Sequence, residues 1–178
     1  MSDNNNNSSV KNFPAFKIAS LAVLIAVTTV FTYIIRIPVA PTRGYIHFGD
    51  VAIFFTAITF GPMTAFIAGG VGMALADLLA GYAQWAPITF FAHGLQGLLI
   101  GLIIGKKINI IRIISSFLAA TVIMAGIYYI TAGIMYGFGP ALTEIPGNIL
   151  QNVAGIAVGL PLASAVRKAY PPIQNYKW

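Results

Sequence analysis

The chain has 178 residues, of which 58% are apolar and only 8% charged, and its net charge is +6. A soluble domain carries about 25% charged residues, so this composition suits a surface that faces lipid and excludes an ordinary water-soluble globule. With no cysteine, disulfides, zinc–thiolate sites, Fe–S clusters and thiol nucleophiles are excluded as well.

Residues 1–14 are polar and Asn-rich at the start and read as a disordered cytoplasmic tail. The apolar run 18–35 that follows is longer than the roughly 7–15 residues of a signal-peptide core, and reads as a retained first span. Runs at 88–105, 113–138 and 145–166 are each long and uncharged. A helix needs about 20 apolar residues to cross about 30 Å of hydrocarbon. The stretch 51–76 is uncharged but interrupted by Gly61-Pro62, and counts as one span or two.

Charge decides between five spans and six, because cytoplasmic loops are enriched in Lys and Arg. With Gly61-Pro62 as a tight inner turn, Lys11, Lys17, Lys106, Lys107, Arg112, Arg167, Lys168 and Lys177 all lie inside, and only Arg36 and Arg43 outside. Proline also removes a helical N–H and clashes with the preceding turn. The expectation is therefore an all-α integral membrane bundle of six transmembrane helices, at about 15–36, 47–61, 62–82, 88–105, 110–138 and 143–167. Residues 15–168 form the membrane domain, both termini are cytoplasmic, and 169–178 form a short C-terminal tail.

This topology sorts the polar residues by depth. His47 and Asp50 open the second span, and Asp77 lies near the outer end of the third. Gln84 and Trp85 occupy the second outer loop, His93 and Gln96 lie one to two turns into the fourth span, and Glu144, Asn148, Gln151 and Asn152 begin the sixth. All fall in the outer half. Polar groups at membrane depth usually face a bundle interior or a watery cavity. With Tyr45, Phe90, Tyr128, Tyr129 and Tyr136 in the same layer, they suit a pocket for a small, flat, polar heteroaromatic ligand. Each also has a plainer reading: an aromatic interface belt for Trp85 and the tyrosines, helix-end charges for the aspartates, a satisfied bundle histidine for His93, and amide glue for Asn148, Gln151 and Asn152. Rows of small residues at Ala19, Ala22 and Ala26, at Gly97, Gly101 and Gly105, and at Gly155 and Gly159 permit close helix approach. Internal packing is the favoured reading for the two glycine rows; the alanine row either packs internally or docks a partner. Without a Gly-rich phosphate loop the chain does not hydrolyse ATP itself.

The segment Pro41-Thr-Arg-Gly-Tyr-Ile-His-Phe-Gly-Asp50, then Gly61-Pro62, then Asp77 with Gly81-Tyr82 and Ala86-Pro87, resembles the vitamin-binding S component of energy-coupling factor (ECF) transporters. The resemblance covers about residues 15–168. It implies a non-enzymatic protein of the cell membrane, without a cofactor, that binds a vitamin or precursor at its outer face. It implies association with a transmembrane coupling subunit and two ABC-type ATPases, and transport by toppling in the bilayer. Ala19, Ala22 and Ala26 would meet the coupling subunit, and the loop 37–46 would act as a lid. The ligand-binding candidates are His93, Gln96, Asn148, Gln151, Asn152, Trp85, Tyr45 and Asp77. A small pocket of this composition favours hydroxymethylpyrimidine or a pyridoxine-type ring. The rival classes are a self-sufficient secondary transporter or channel, which would need polar residues in the inner half, and a membrane-embedded enzyme using Asp77 and His93.

Overall fold

A computed structural model describes residues 14–105 and 108–176. The Asn-rich tail (residues 1–13), Lys106, Lys107 and Lys177 therefore lie outside the described residues. The chain forms α1 (Pro14–Ile34), a hairpin of β1 (Arg36–Val39) and β2 (Gly44–His47), α2 (Gly49–Phe60), α3 (Pro62–Ala80), α4 (Ala86–Ile104), α5 (Ile110–Tyr136), the single turn α6 (Phe138–Ala141) and α7 (Glu144–Ala169). Two short 3-10 turns, Ala40–Thr42 and Pro171–Tyr176, complete it.

Five helices are long and apolar enough to cross a membrane; α2, with 12 residues, is shorter. At 1.5 Å per residue it rises only about 18 Å. It is nonetheless the centre of the bundle: it packs mainly against α7, and also against α1, α3 and α4, and most of its residues are buried. Gly61 ends it with φ of 97°, a conformation that favours glycine, and Pro62 starts α3 where its missing N–H costs nothing. The break expected at Gly61-Pro62 is therefore present, and the long uncharged stretch folds as two helices.

The hairpin is not anticipated by the sequence, which reads 37–46 as a loop. Arg36 pairs with His47 and Val39 with Gly44 in antiparallel register. The turn closes through Arg43, left-handed at φ of 50°.

Close helix approach comes from the two glycine rows, as expected. A Cβ at Gly97 would meet the Ala65 carbonyl oxygen at 2.8 Å, so α4 lies directly on the α3 backbone. A Cβ at Gly159 would lie 2.8 Å from both Phe54 Cβ and the Val51 carbonyl oxygen on α2. Gly105 is different: it caps α4 with φ of 54° and does not extend the row. The alanine row of α1 faces outward. Ala19, Ala22 and Ala26 are exposed, while Leu24, Thr28, Thr29 and Thr32 form the buried face. Internal packing therefore does not account for that row.

The core has two apolar parts. One gathers Ile53, Phe54, Ile58, Met73, Ile100 and Ile104; the other gathers Trp85, Ala92, Met124 and Tyr128. Between and beside them lie the buried polar groups.

Overpacking a filled core position costs roughly 1–3 kcal/mol or more. Gly159→Leu should therefore lower the thermal unfolding temperature of the purified protein. Gly126→Leu, on an α5 face with nothing within 4 Å of the added Cβ, should leave it nearly unchanged. Equal tolerance of both substitutions would contradict the packing of α7 on α2.

Candidate functional site

At the hairpin end of the bundle, β2, α3, α4, α5, α7 and the residue before α4 surround a small cavity. Its lining is Gly44, Tyr45, His47, Asp77, Trp85, Thr89, Tyr128, Glu144, Asn148 and Gln151.

The hairpin covers it and is tied down at several points. Tyr45 donates its hydroxyl to Asp77 Oδ1 at 2.6 Å. Burial, then the nearby Asp77 carboxylate, pushes the Tyr45 phenol well above its usual pKa, so it stays a donor. Thr42 donates to Glu144 Oε1. The His47 backbone N–H donates to Gln151 Oε1 at 2.7 Å. The Trp85 indole donates to the Arg43 carbonyl oxygen at 3.2 Å, and the Tyr45 ring lies 4.7 Å from that of Tyr82. The His47 Nδ1 accepts the Gly49 backbone N–H at 3.3 Å.

One wall is aromatic. Trp85 lies 5.6 Å from Tyr128 and 6.0 Å from Tyr136, centroid to centroid. The Tyr128 hydroxyl and Thr89 Oγ1 are 2.7 Å apart. Trp85 is only 3% exposed, so it belongs to this wall and not to an interface belt.

Beneath the cavity lies a second polar layer. Gln96 Nε2 donates to Asp50 Oδ1 at 2.5 Å and to Asn152 Oδ1 at 2.9 Å. Its Oε1 faces His93 Nδ1 at 2.8 Å, so that nitrogen carries the proton. Asn152 Nδ2 donates to the Asn148 carbonyl oxygen at 3.0 Å and contacts Met124 Sδ at 3.1 Å. Asp50, His93, Gln96 and Asn152 are wholly buried.

Of the eight residues singled out from the sequence as ligand contacts, Tyr45, Asp77, Trp85, Asn148 and Gln151 line the cavity. His93, Gln96 and Asn152 do not; they form the layer below it. His47, Tyr128 and Glu144 belong to the polar or aromatic layer by depth and also line the cavity, without having been singled out. Thr89 and Gly44 are the residues that sequence reasoning misses. The only signal for Thr89 is its place one turn before His93 on α4. Gly44 fits where a side chain would not: an added Cβ would sit 3.1 Å from Glu144 Oε1.

Two atoms of the lining have no hydrogen-bond partner: Asp77 Oδ2 and Asn148 Nδ2, both on residues 3% exposed. An unpaired buried polar group costs about 1–3 kcal/mol, so a polar partner at these two atoms would be stabilising; in the layer below, Asp50 Oδ2 and His93 Nε2 are also without one.

Comparison with known proteins agrees with this architecture. The crystal structure of FolT bound with folic acid matches with a TM-score of 0.66 and 25% identity, over 83% of this chain and 91% of that one. The thiamine precursor transporter HmpT of Lactococcus lactis subsp. cremoris (strain MG1363) is 32% identical over 153 residues, 85% of this chain and 88% of its own length. An uncharacterized protein of Pyrococcus woesei is 37% identical over 145 residues, 82% of this chain and 97% of its own. Residues 12–168 match the family described as ECF-type riboflavin transporter, S component. The chain is a multi-pass membrane protein of that family, an S component of an ECF-type transporter.

Proposed function

We propose that this S component binds a single-ring nitrogen heterocycle, a vitamin precursor of the hydroxymethylpyrimidine or pyridoxine type, in the cavity beneath the hairpin. The observation that carries the reading is a small, aromatic-walled cavity that leaves Asp77 Oδ2 and Asn148 Nδ2 unpaired. One flat ring fits such a space with its faces against Trp85 and Tyr128 and its polar edge toward α3 and α7. The kinship with a thiamine precursor transporter supports the smaller ligand.

In this reading the hairpin is the lid. Its ties to Asp77, Glu144 and Gln151 run to the same side chains that line the cavity, so a ligand that displaces or reorients them acts on the lid directly. His93, Gln96 and Asn152 act from below by holding Asn148 and the α4–α7 contact in place. The protein resides in the cell membrane with both termini in the cytoplasm and the cavity toward the outside, as the distribution of Lys and Arg supports. Transport energy comes from two ABC-type ATPases through a transmembrane coupling subunit that meets the outward row Ala19, Ala22 and Ala26. Two features favour this over a self-sufficient transporter: the helix segments beyond the buried polar layer are almost wholly apolar, and no ATP motif is present.

Two outcomes test the reading. Gln151→Ala and Asn148→Ala should each weaken binding of hydroxymethylpyrimidine by about 5- to 150-fold by calorimetry, the equivalent of roughly 1–3 kcal/mol, while the protein still folds. Unchanged affinity in both would move the binding site elsewhere. Ala22→Trp should leave ligand binding by the isolated protein intact, because that face touches no other helix, yet abolish co-purification with the coupling subunit and uptake in cells. Intact ATP-dependent uptake in this variant would remove the row from the coupling interface.

A further inference from the structure

The chain has four acidic residues in all. Asp3 lies outside the described residues. The other three, Asp50, Asp77 and Glu144, come from three different helices and converge on one site. Two of them line the cavity and the third lies in the layer below it. Ionisable groups at membrane depth are costly, so their gathering in a protein this poor in acids requires a use.

Among the described residues no Lys or Arg lines the cavity. The hairpin carries two arginines. Arg36 lies over the Tyr33 ring, 4.4 Å from its centroid, and Arg43 is exposed and offers the site only its backbone carbonyl oxygen, which takes the Trp85 indole. Among the described residues the lining itself holds carboxyl groups and no Lys or Arg, and Arg36 acts on it from outside, through its charge on Tyr45.

The unpaired atoms add direction to this charge. Asp77 Oδ1 already accepts from Tyr45, so Oδ2 is left to accept one more N–H or O–H. Asn148 Oδ1 accepts from Gln151 Nε2 at 3.3 Å, so Nδ2 is left to donate. A ring with an exocyclic amino group next to a ring nitrogen offers the matching pair, one donor and one lone pair on a single edge. A phosphate or carboxylate offers acceptors only, and would meet Asp77 and Glu144.

We infer that the cavity selects the neutral or cationic, amino-bearing form of its heterocycle and rejects the phosphorylated or carboxylated form of the same ring, with Asp77 reading the amino group. This rests on the one-ring reading given above. It adds that the transporter takes up the free base, so the phosphorylation that activates such a ring must follow uptake.

The test compares three probes on the purified full-length protein, by calorimetry: 4-amino-5-hydroxymethyl-2-methylpyrimidine, its phosphate monoester, and the analogue with a ring oxo group in place of the amino group. The phosphate ester should bind at least about 100-fold more weakly than the free alcohol, since its oxygens bring further acceptors against the Asp77 Oδ2 acceptor and the Glu144 carboxyl group. The Asp77→Asn variant keeps the acceptor for Tyr45 but replaces the open acceptor by a donor. It should lose about 100-fold for the amino ring while the oxo analogue gains relative to it. Phosphate ester affinity within about 10-fold of the alcohol would overturn the inference and leave the one-ring reading standing. So would an unchanged amino-over-oxo preference in Asp77→Asn. Failure of all three probes, and of pyridoxine, to bind the wild-type protein would overturn both. The alcohol–ester comparison needs no variant, so it stands if Asp77→Asn does not fold.

Discussion

The amide of Gln96 holds the polar half of this bundle together. It joins α2 through Asp50, α7 through Asn152 and its own helix through His93, all with no exposure to solvent. In a bilayer no water is at hand to replace a lost partner, and each unsatisfied polar group costs several kcal/mol. The three helices are therefore fixed in one rotation and one depth, and that rotation presents Thr89, Asn148 and Gln151 to the cavity above. The glycine contacts of α4 on α3 and α7 on α2 supply the closeness that lets such short side chains meet.

The same constraint gives the site its meaning. Open hydrogen-bonding atoms remain in both layers, Asp50 Oδ2 and His93 Nε2 below and Asp77 Oδ2 and Asn148 Nδ2 in the cavity lining, and in the proposed function only the latter pair faces the ligand. The hairpin closes over these atoms with bonds to residues of the lining, so occupation of the cavity and seating of the hairpin share side chains. The half beyond Gln96 is packed around Phe54, Ile58 and Ile100, and its buried polar groups are hydroxyls, Thr56, Thr59, Thr64 and Ser116, with no carboxyl or amide among them.

Much of the helical architecture was legible because lipid imposes a coarse rule on sequence. The six helices match the expected spans to within about two residues at most ends, and the Gly61-Pro62 break is read from backbone chemistry alone. The hairpin was not legible: two four-residue strands containing Pro38 and closed by a left-handed Arg43 leave no alternation long enough to read. For the site, depth was legible and direction was not. His93, Gln96 and Asn152 sit at the right level, but α4 and the start of α7 are buried on several sides, so periodicity does not tell the face toward a cavity from the face toward another helix. Thr89 and Gly44 line the cavity with side chains too ordinary to stand out. The outward turn of Ala22 likewise follows from which face of α1 the threonines occupy, a choice that a uniformly apolar helix conceals.

The most direct test of an outward-facing, ligand-occupied cavity uses the absence of native cysteine. A single cysteine at Tyr45, on the hairpin and in the cavity lining, should react in intact cells with a membrane-impermeant thiol reagent. Saturating hydroxymethylpyrimidine should slow that reaction. Labelling only in inside-out vesicles, or labelling that the ligand does not slow although it binds, would contradict the account.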